Sequence, residues 1–315
     1  MRNSINTDIV KSSRKPLLIH IGYHKTASTW LQKSIFQSTN GFFQPFKLRE
    51  LYNCLILPNA LSFDYRKAKR SLEARTNSKP ENNLIQVLSH ERLSGDPFTG
   101  SRDAKDIANR VHTIFPEAKI LILVREQFDL ISSLYKTYVV HGGKAKLDAF
   151  LKTQCDEVNQ WFDHRTYCYD KLITHYIEMF GRENVLVVAY EELKNDNQGF
   201  YNDLCEFVGI PQGTLESRAI VKVNSGLSEF GIEMLRLVNL SFGVFCAYPL
   251  DPSNNQFWRI VRSTFFRMEW IFKRIPLKGR YKQRTKKILS GKFKASNSTL
   301  QAYVSLDLAN AGYER

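Results

Sequence analysis

The chain has few cysteines and no order among them. Five are scattered at positions 54, 155, 168, 205 and 246, an odd number with no C-x-x-C, which excludes a disulfide framework or a thiolate zinc site as the organising principle and fits a reducing compartment. Long apolar runs are also missing. No stretch of about 18 uncharged apolar residues reads as a membrane span, and residues 1–15 lack the apolar segment of a secretory signal, so the expectation is a disordered arm there. Internal repeats and low-complexity linkers are absent, and no Gly-Lys-Ser/Thr occurs, so the nucleotide-triphosphatase phosphate loop is excluded. Acids are scarce in one place. Residues 256–294 hold thirteen Lys and Arg against the single Glu269, and so carry twelve of the fourteen net positive charges of the chain. Such a surplus calls for an anionic partner, which composition alone does not choose: nucleic acid, lipid, a phosphorylated cofactor or an acidic polymer.

What is present is organised around PLLIHIGYHKTASTWLQ, residues 16–32. Leu17, Leu18, Ile19 and Ile21 read as a buried strand, Gly22 breaks it, and Thr29 to Gln32 open a helical pattern. Between strand and helix stand Lys25, Thr26, Ser28 and Thr29. A cation and three hydroxyls beside the unpaired N–H groups of a helix start make an anion site; a bland Ser/Thr capping arrangement is the competing reading. Three further apolar runs, 84–88, 120–124 and 185–189, alternate with helical patterns. That alternation predicts an α/β fold with a central parallel sheet covered on both faces, with ligands at the carboxyl edge of the strands. The segments that follow these strands are Ser89-His90-Glu91-Arg92, Arg125-Glu126-Gln127 and Tyr190-Glu191-Glu192. Arg125 stands where a Mg-nucleotide enzyme places a metal-holding acid. A cation there argues for a second bound anion, and Ser133, eight residues on near the start of a helix reaching about Tyr138, can converge on the same phosphate.

The loop HIGYHKTASTWLQ resembles the 5′-phosphosulfate loop of sulfotransferases that use 3′-phosphoadenosine 5′-phosphosulfate (PAPS), and Arg125 with Ser133 is similar to their 3′-phosphate motif. Tyr190 to Leu193 with the helix at 200–211, and Asp307-Leu308 with Gly312-Tyr313, resemble parts of bacterial carbohydrate-type members. The resemblance covers residues 16–240 and, loosely, the last fifteen. It implies a P-loop-like three-layer sandwich, with 16–315 as one domain carrying a basic helical subdomain at about 241–295. It also implies PAPS as sulfuryl donor, no metal, and a hydroxyl of a carbohydrate or glycoconjugate as acceptor. By position, Lys25 would contact the phosphosulfate and its bridging oxygen, Thr26, Ala27, Ser28, Thr29 and Trp30 would wrap the 5′-phosphate, and Arg125 and Ser133 would hold the 3′-phosphate. Lys278, Gly279 and Arg280 resemble a late nucleotide-contacting loop. The chain departs from the family pattern at Ala27, where relatives often carry Gly, and at Glu126-Gln127, where they carry Asn-Pro.

In carbohydrate-type members the catalytic base is a glutamate near the second strand, which favours Glu91. His90 is the alternative, and pairing of Glu91 with Arg92 or another basic neighbour is the structural reading. His24 could approach the sulfuryl group or merely orient the loop. Trp30 is equally a core residue or an adenine contact, and 141–165 is a guess for acceptor lining. The basic stretch 256–294 reads as a solvated surface, a site for an anionic glycan or the cofactor's 3′-phosphate side, or, over 257–287, an amphipathic surface on anionic membrane. A cytoplasmic location is expected, with peripheral attachment at the inner membrane face as its variant. Nucleic acid is not an expected partner. The competing functions are a P-loop kinase and a non-enzymatic basic binding protein on a decayed fold.

Overall fold

The computed structural model describes residues 16–77, 84–152, 162–213, 226–241, 256–272, 274–275 and 279–315; the expected arm at 1–15 and the first part of the basic subdomain, 242–255, lie outside them. The chain runs β1 (Leu18–Gly22), α1 (Ser28–Trp30), β2 (Phe42–Phe43), α2 (Leu48–Leu51), α3 (Tyr65–Asn77), β3 (Ile85–Ser89), α4 (Ala104–Ile114) and β4 (Lys119–Val124). Then follow α5 (Gln127–Val140), α6 (Leu147–Leu151), α7 (Tyr169–Phe180), β5 (Val185–Ala189), α8 (Tyr190–Asn195) and α9 (Asn197–Val208). The last helices are α10 (Glu229–Ser241), α11 (Gln256–Phe272), α12 (Arg280–Leu289) and α13 (Lys294–Leu300).

The four strands expected from apolar runs are present, and β2, two residues long, adds a fifth that is too short to leave a pattern. The strand order is β2-β3-β1-β4-β5 and every pairing is parallel. Period-two alternation divides the side chains between two cores. Ile19 and Ile21 of β1 and Ile120, Ile122 and Val124 of β4 face a layer that includes α4, α5 and α7. Leu18, Leu121 and Leu123 face the other way, onto Trp30, Leu31 and the apolar side of α9. The result is the three-layer α/β sandwich.

Strand register decides where chemistry can gather. Gly22 of β1 lies opposite Leu123 of β4, His20 opposite Ser89 at the end of β3, and Val124 opposite Ala189 at the end of β5. Four strands therefore finish at nearly the same level, with β1 in the middle. From β3 the chain crosses to β4 on the far side of β1, so the crossover direction reverses there, and such a reversal opens a crevice at the carboxyl edge.

The second half is tied to this edge by buried polar side chains. Glu229 at the start of α10 is buried, and its carboxylate accepts from the backbone N–H groups of Gly279, Arg280 and Tyr281 (3.0, 3.0 and 3.3 Å). It thereby caps α12, whose own N-terminal residue supplies no side-chain cap. Gln127 bonds Asn297 of α13, and Asn297 in turn donates to the Glu314 carbonyl (2.8 Å). Glu229→Ala removes three acceptor contacts at one buried helix start and is expected to lower unfolding free energy by about 1–3 kcal/mol. Urea titration of both proteins measures this, with Glu229→Gln retaining part of the loss.

Candidate active site

The loop after β1 is tight and oddly shaped. Lys25 and Ala27 both adopt left-handed backbone, φ 70° and 67°, although neither is glycine. Thr26 between them is buried, and its hydroxyl donates to the Tyr23 carbonyl (2.6 Å). The chain then enters α1, whose N-terminus no side chain caps, and continues through a π-helical turn over Leu31–Ile35. Ser28 Oγ is buried without a hydrogen-bond partner. Gly22 is required by close approach, because a Cβ there would sit 2.5 Å from Ser28 Oγ and 3.1 Å from the His20 ring. A turned-in hydroxyl, an uncapped helix start and an adjacent lysine form a donor set with no protein acceptor, which fits a phosphate group.

Arg125 joins this loop to the end of β4. Its Nη1 donates to the Lys25 carbonyl (2.8 Å), its Nη2 pairs with Asp129 one turn into α5, and its guanidinium carbon lies 4.8 Å from the Tyr190 ring centroid. Arg125 Nε is buried and unpartnered. The Tyr169 hydroxyl donates to the Arg125 carbonyl (2.6 Å). Glu126 is buried and caps α5 by accepting from the N–H groups of Phe128 and Asp129 (both 3.0 Å). Its other contacts are Lys282 Nζ at 2.7 Å and Glu191, which accepts its backbone N–H (3.1 Å). Glu191 also takes the Tyr313 hydroxyl (2.9 Å), so the two weaker sequence segments meet here. Ser133 lies midway along α5, half-buried, rather than near its start.

The turn after β3 carries the base candidates. His90 Nδ1 accepts the N–H of Arg92 (3.0 Å), so in the neutral ring the proton sits on Nε2 and the remaining lone pair is occupied. The ring stacks on Tyr52 at 6.2 Å. Glu91 is half-exposed, with Oε1 3.7 Å from His24 Nε2; this is the basic neighbour it meets. Arg92 instead pairs with Asp96 (2.8 Å) and Asp103 (3.3 Å) and so braces the turn. Ser94 Oγ donates to the Gly22 carbonyl (3.3 Å), linking this turn to the loop after β1.

Burial dominates the electrostatics. Desolvation pushes His90 down to about 4, against the pull of Glu91, and His20, bonded to Ser89 Oγ, down to about 3. His24 is lowered by burial with Glu91 opposing. Lys25 keeps an exposed edge, yet the packed loop desolvates its ammonium and lowers it; Glu91 works against that shift and Arg125 reinforces it.

Among the sequence-predicted residues, Lys25, Thr26, Ala27, Ser28, Thr29, His90, Glu91 and Arg125 stand on the loops that close the carboxyl edge. Trp30 is buried in the core on the α9 side with its indole N–H unpartnered. Lys278 lies outside the described residues, and the backbone N–H groups of Gly279 and Arg280 are held by Glu229. Sequence reasoning missed Asp129 and Tyr190 as partners of Arg125. Their signal was spacing: four residues along a helix for one, the first residue past a strand for the other. Among the described residues no group of three His, Cys, Asp or Glu is placed to hold a metal. Of two clefts of about 540 Å³, one lies by α12 and the other, lined by Tyr23, Ser94 and Asp170, adjoins the loop after β1 through Tyr23 and Ser94; neither is lined by Lys25, Glu91 or Arg125.

Two measurements test this geometry. A left-handed alanine costs roughly 1–2 kcal/mol, of which the greater chain entropy of glycine offsets part, so Ala27→Gly is expected to raise unfolding free energy by about 0.5–1 kcal/mol in urea titration. His90 is expected to titrate near pH 4 in ring-proton NMR. Its folded value lies below the unfolded 6.5, so the unfolded chain binds more protons between those limits. Native stability contributed by neutral His90 is therefore full above pH 6.5 and falls as pH drops towards 4, a slope that His90→Asn should reduce.

Residues 103–213 match the model of the sulfotransferase family, a span that contains Arg125, Ser133 and Tyr190 but not Lys25 or Glu91. Rat sulfotransferase 2B1 is 36% identical over 104 residues, 31% of this chain and 28% of the relative. Mouse sulfotransferase 2A6 is 28% identical over 116 residues, 35% of this chain and 38% of the relative. The matched part thus spans about a third of the length of these curated relatives. The crystal structure of a sulfotransferase from Alicyclobacillus acidocaldarius superposes with a TM-score of 0.51 at 18% identity, covering 72% of this chain and 91% of that one; it shares the fold. Over residues 103–213, a stretch that runs through the strand-end arginine, the chain is similar to the sulfotransferase family, and it shares the three-layer sandwich of that crystal structure.

Proposed function

We propose that this protein transfers a sulfuryl group from PAPS to a hydroxyl of a carbohydrate acceptor. The observation that carries the reading is the direct hydrogen bond between Arg125 and the Lys25 carbonyl, which sets two cationic side chains on adjoining loops at one edge of the sheet. A donor with phosphate groups at both ends of a ribose needs two such anion sites. The loop from Lys25 to Thr29, with its unpartnered Ser28 hydroxyl, suits the 5′ end, and Arg125 with Ser133 the 3′ end. PAPS supplies the activated sulfuryl group. The acceptor oxygen bonds to sulfur as the sulfur–oxygen bond to the 5′-phosphate breaks, and the acceptor's proton passes to a protein base.

Lys25 stabilises the negative charge that grows on the departing phosphate oxygen. Glu91 is the base. Its carboxylate is half-exposed, whereas the Nδ1 lone pair of His90 is already spent on the Arg92 N–H. His24, 3.7 Å from Glu91, orients the carboxylate. For the acceptor, the cleft lined by Tyr23, Ser94, Arg102, Lys105 and Asp170 supports a hydroxyl-rich molecule: Thr166 Oγ1 and Asp170 Oδ1 are buried there without partners. A cytoplasmic location fits Cys54, Cys168 and Cys205, which are free thiols among the described residues.

Isothermal titration of PAP, the desulfated product, without added metal tests the reading. Wild type should bind, and Arg125→Ala should bind roughly 10–100-fold more weakly, the worth of a charge-assisted phosphate contact. Glu91→Gln should keep PAP affinity and lose about 10²–10⁴ in sulfuryl transfer, with His90→Gln far less impaired. Binding of Mg-ATP and not PAP by wild type overturns the proposal in favour of a kinase.

A further inference from the structure

Helix α11 takes no part in the site described above, and its two sides have opposite characters. The inward side is anchored. Glu269 is buried and its carboxylate accepts from the Ser228 N–H (2.8 Å) and hydroxyl (3.3 Å) at the start of α10. Phe272 is buried against Phe230 of α10, ring centroids 5.6 Å apart.

The outward side is apolar and basic at once. Ile260, Arg267, Ile271 and Arg274 recur at intervals of seven, four and three, one line along a helical pitch continued past the end of α11. Ile260 and Trp270 are about three-fifths exposed (60% and 61%) and Ile271 is 41% exposed. The Arg274 guanidinium lies 5.2 Å from the Trp270 ring centroid. The neighbouring α10 adds exposed Leu237 and Leu240.

Exposed aliphatic chains, a tryptophan and arginines on one face match the interface of a lipid bilayer, where the rings and aliphatic carbons enter the headgroup region and the guanidinium groups meet lipid phosphates. The charge balance selects the lipid. The one acid of 256–294, Glu269, is turned inward and consumed at Ser228, so no acid from that stretch faces outward. Beyond it, α12 exposes Arg280, Lys286 and Lys287. A second copy of this chain is disfavoured as occupant, because Arg267 and Arg274 would meet their own counterparts. Among the described residues no helix is long and apolar enough to cross a membrane, so the geometry is one of lying on the surface.

We propose that the outward face of α11, with the exposed end of α10, docks this protein onto an anionic lipid bilayer. The inference stands on exposure and charge and does not depend on the sulfuryl chemistry.

Co-sedimentation of the full chain with phosphatidylcholine vesicles, and with vesicles of equal parts phosphatidylcholine and phosphatidylglycerol, tests it. Expected is binding to the mixed vesicles alone, weakening as salt rises. Trp270→Glu/Ile271→Glu should reduce that binding by roughly tenfold or more, and Arg267→Glu/Arg274→Glu likewise, with melting temperature and PAP affinity unchanged in both. Absence of vesicle binding by wild type overturns the proposal, as does equal binding by the apolar-face variant. Sedimentation velocity covers the remaining occupant. A wild-type dimer that Trp270→Glu/Ile271→Glu dissociates makes this face a contact between copies and refutes the lipid assignment.

Discussion

The hydrogen bond from Arg125 to the Lys25 carbonyl is the contact on which the site depends. It joins loops that are a hundred residues apart in sequence and that only the parallel pairing of β1 with β4 brings side by side. A backbone carbonyl turned towards a guanidinium requires its own residue to leave the ordinary helical and extended regions, and Lys25 does so with φ 70°. The left-handed step at Ala27 then returns the chain to helix. Two residues held out of favourable conformation cost of order 1–2 kcal/mol each. That cost is borne at the place proposed to hold phosphate.

Around this contact the fold supplies rigid supports, and most are carboxylates doing structural work. Glu126 caps α5 and meets Lys282; Glu191 takes the Glu126 N–H and the Tyr313 hydroxyl; Glu229 closes the start of α12. Each neutralises a helix N-terminus or a cation at the edge of a chain that is otherwise strongly basic. The exception is Asp129, whose partner Arg125 is also the residue proposed for the 3′-phosphate. A phosphate arriving at this guanidinium would meet Nη1 already donating to the Lys25 carbonyl and Nη2 paired with Asp129, so Asp129 is the acceptor it would compete with.

The sheet was legible because parallel strands buried on both faces leave apolar runs, and four such runs coincide with β1, β3, β4 and β5. β2 was not, because two phenylalanines carry no period. The loop after β1 was legible from residue chemistry alone, one lysine among hydroxyls after a strand. Its left-handed backbone at Lys25 and Ala27 was not, since neither residue type announces positive φ. Sequence narrowed the candidate base to two adjacent residues, and the contact that favours Glu91 in the proposal, the Arg92 N–H on His90 Nδ1, is one that local pattern does not encode. Long-range partners such as Tyr313 for Glu191 and Glu229 for α12 depend on the folded path of the chain. Their residues look like ordinary surface polar groups when read in line.

Placement of charge separates what the two halves of the chain do. At the strand ends of the first half, Arg125 is fixed by the Lys25 carbonyl and the Tyr190 ring, and Arg92 by Asp96 and Asp103. Cations fixed in this way suit a small ligand met by position. In the second half, cations are numerous: Lys282 and Arg284 of α12 pair with Glu126 and Asp148, while exposed Arg280, Lys286 and Lys287 form no salt bridge among the described residues. Loosely held charge beside exposed apolar side chains recognises an extended surface instead, by summed attraction rather than geometry. Both halves meet on α5, which starts two residues after Arg125 and packs against α10 and α12. A surface that grips through the second half would therefore hold the strand-end site at a fixed distance from itself.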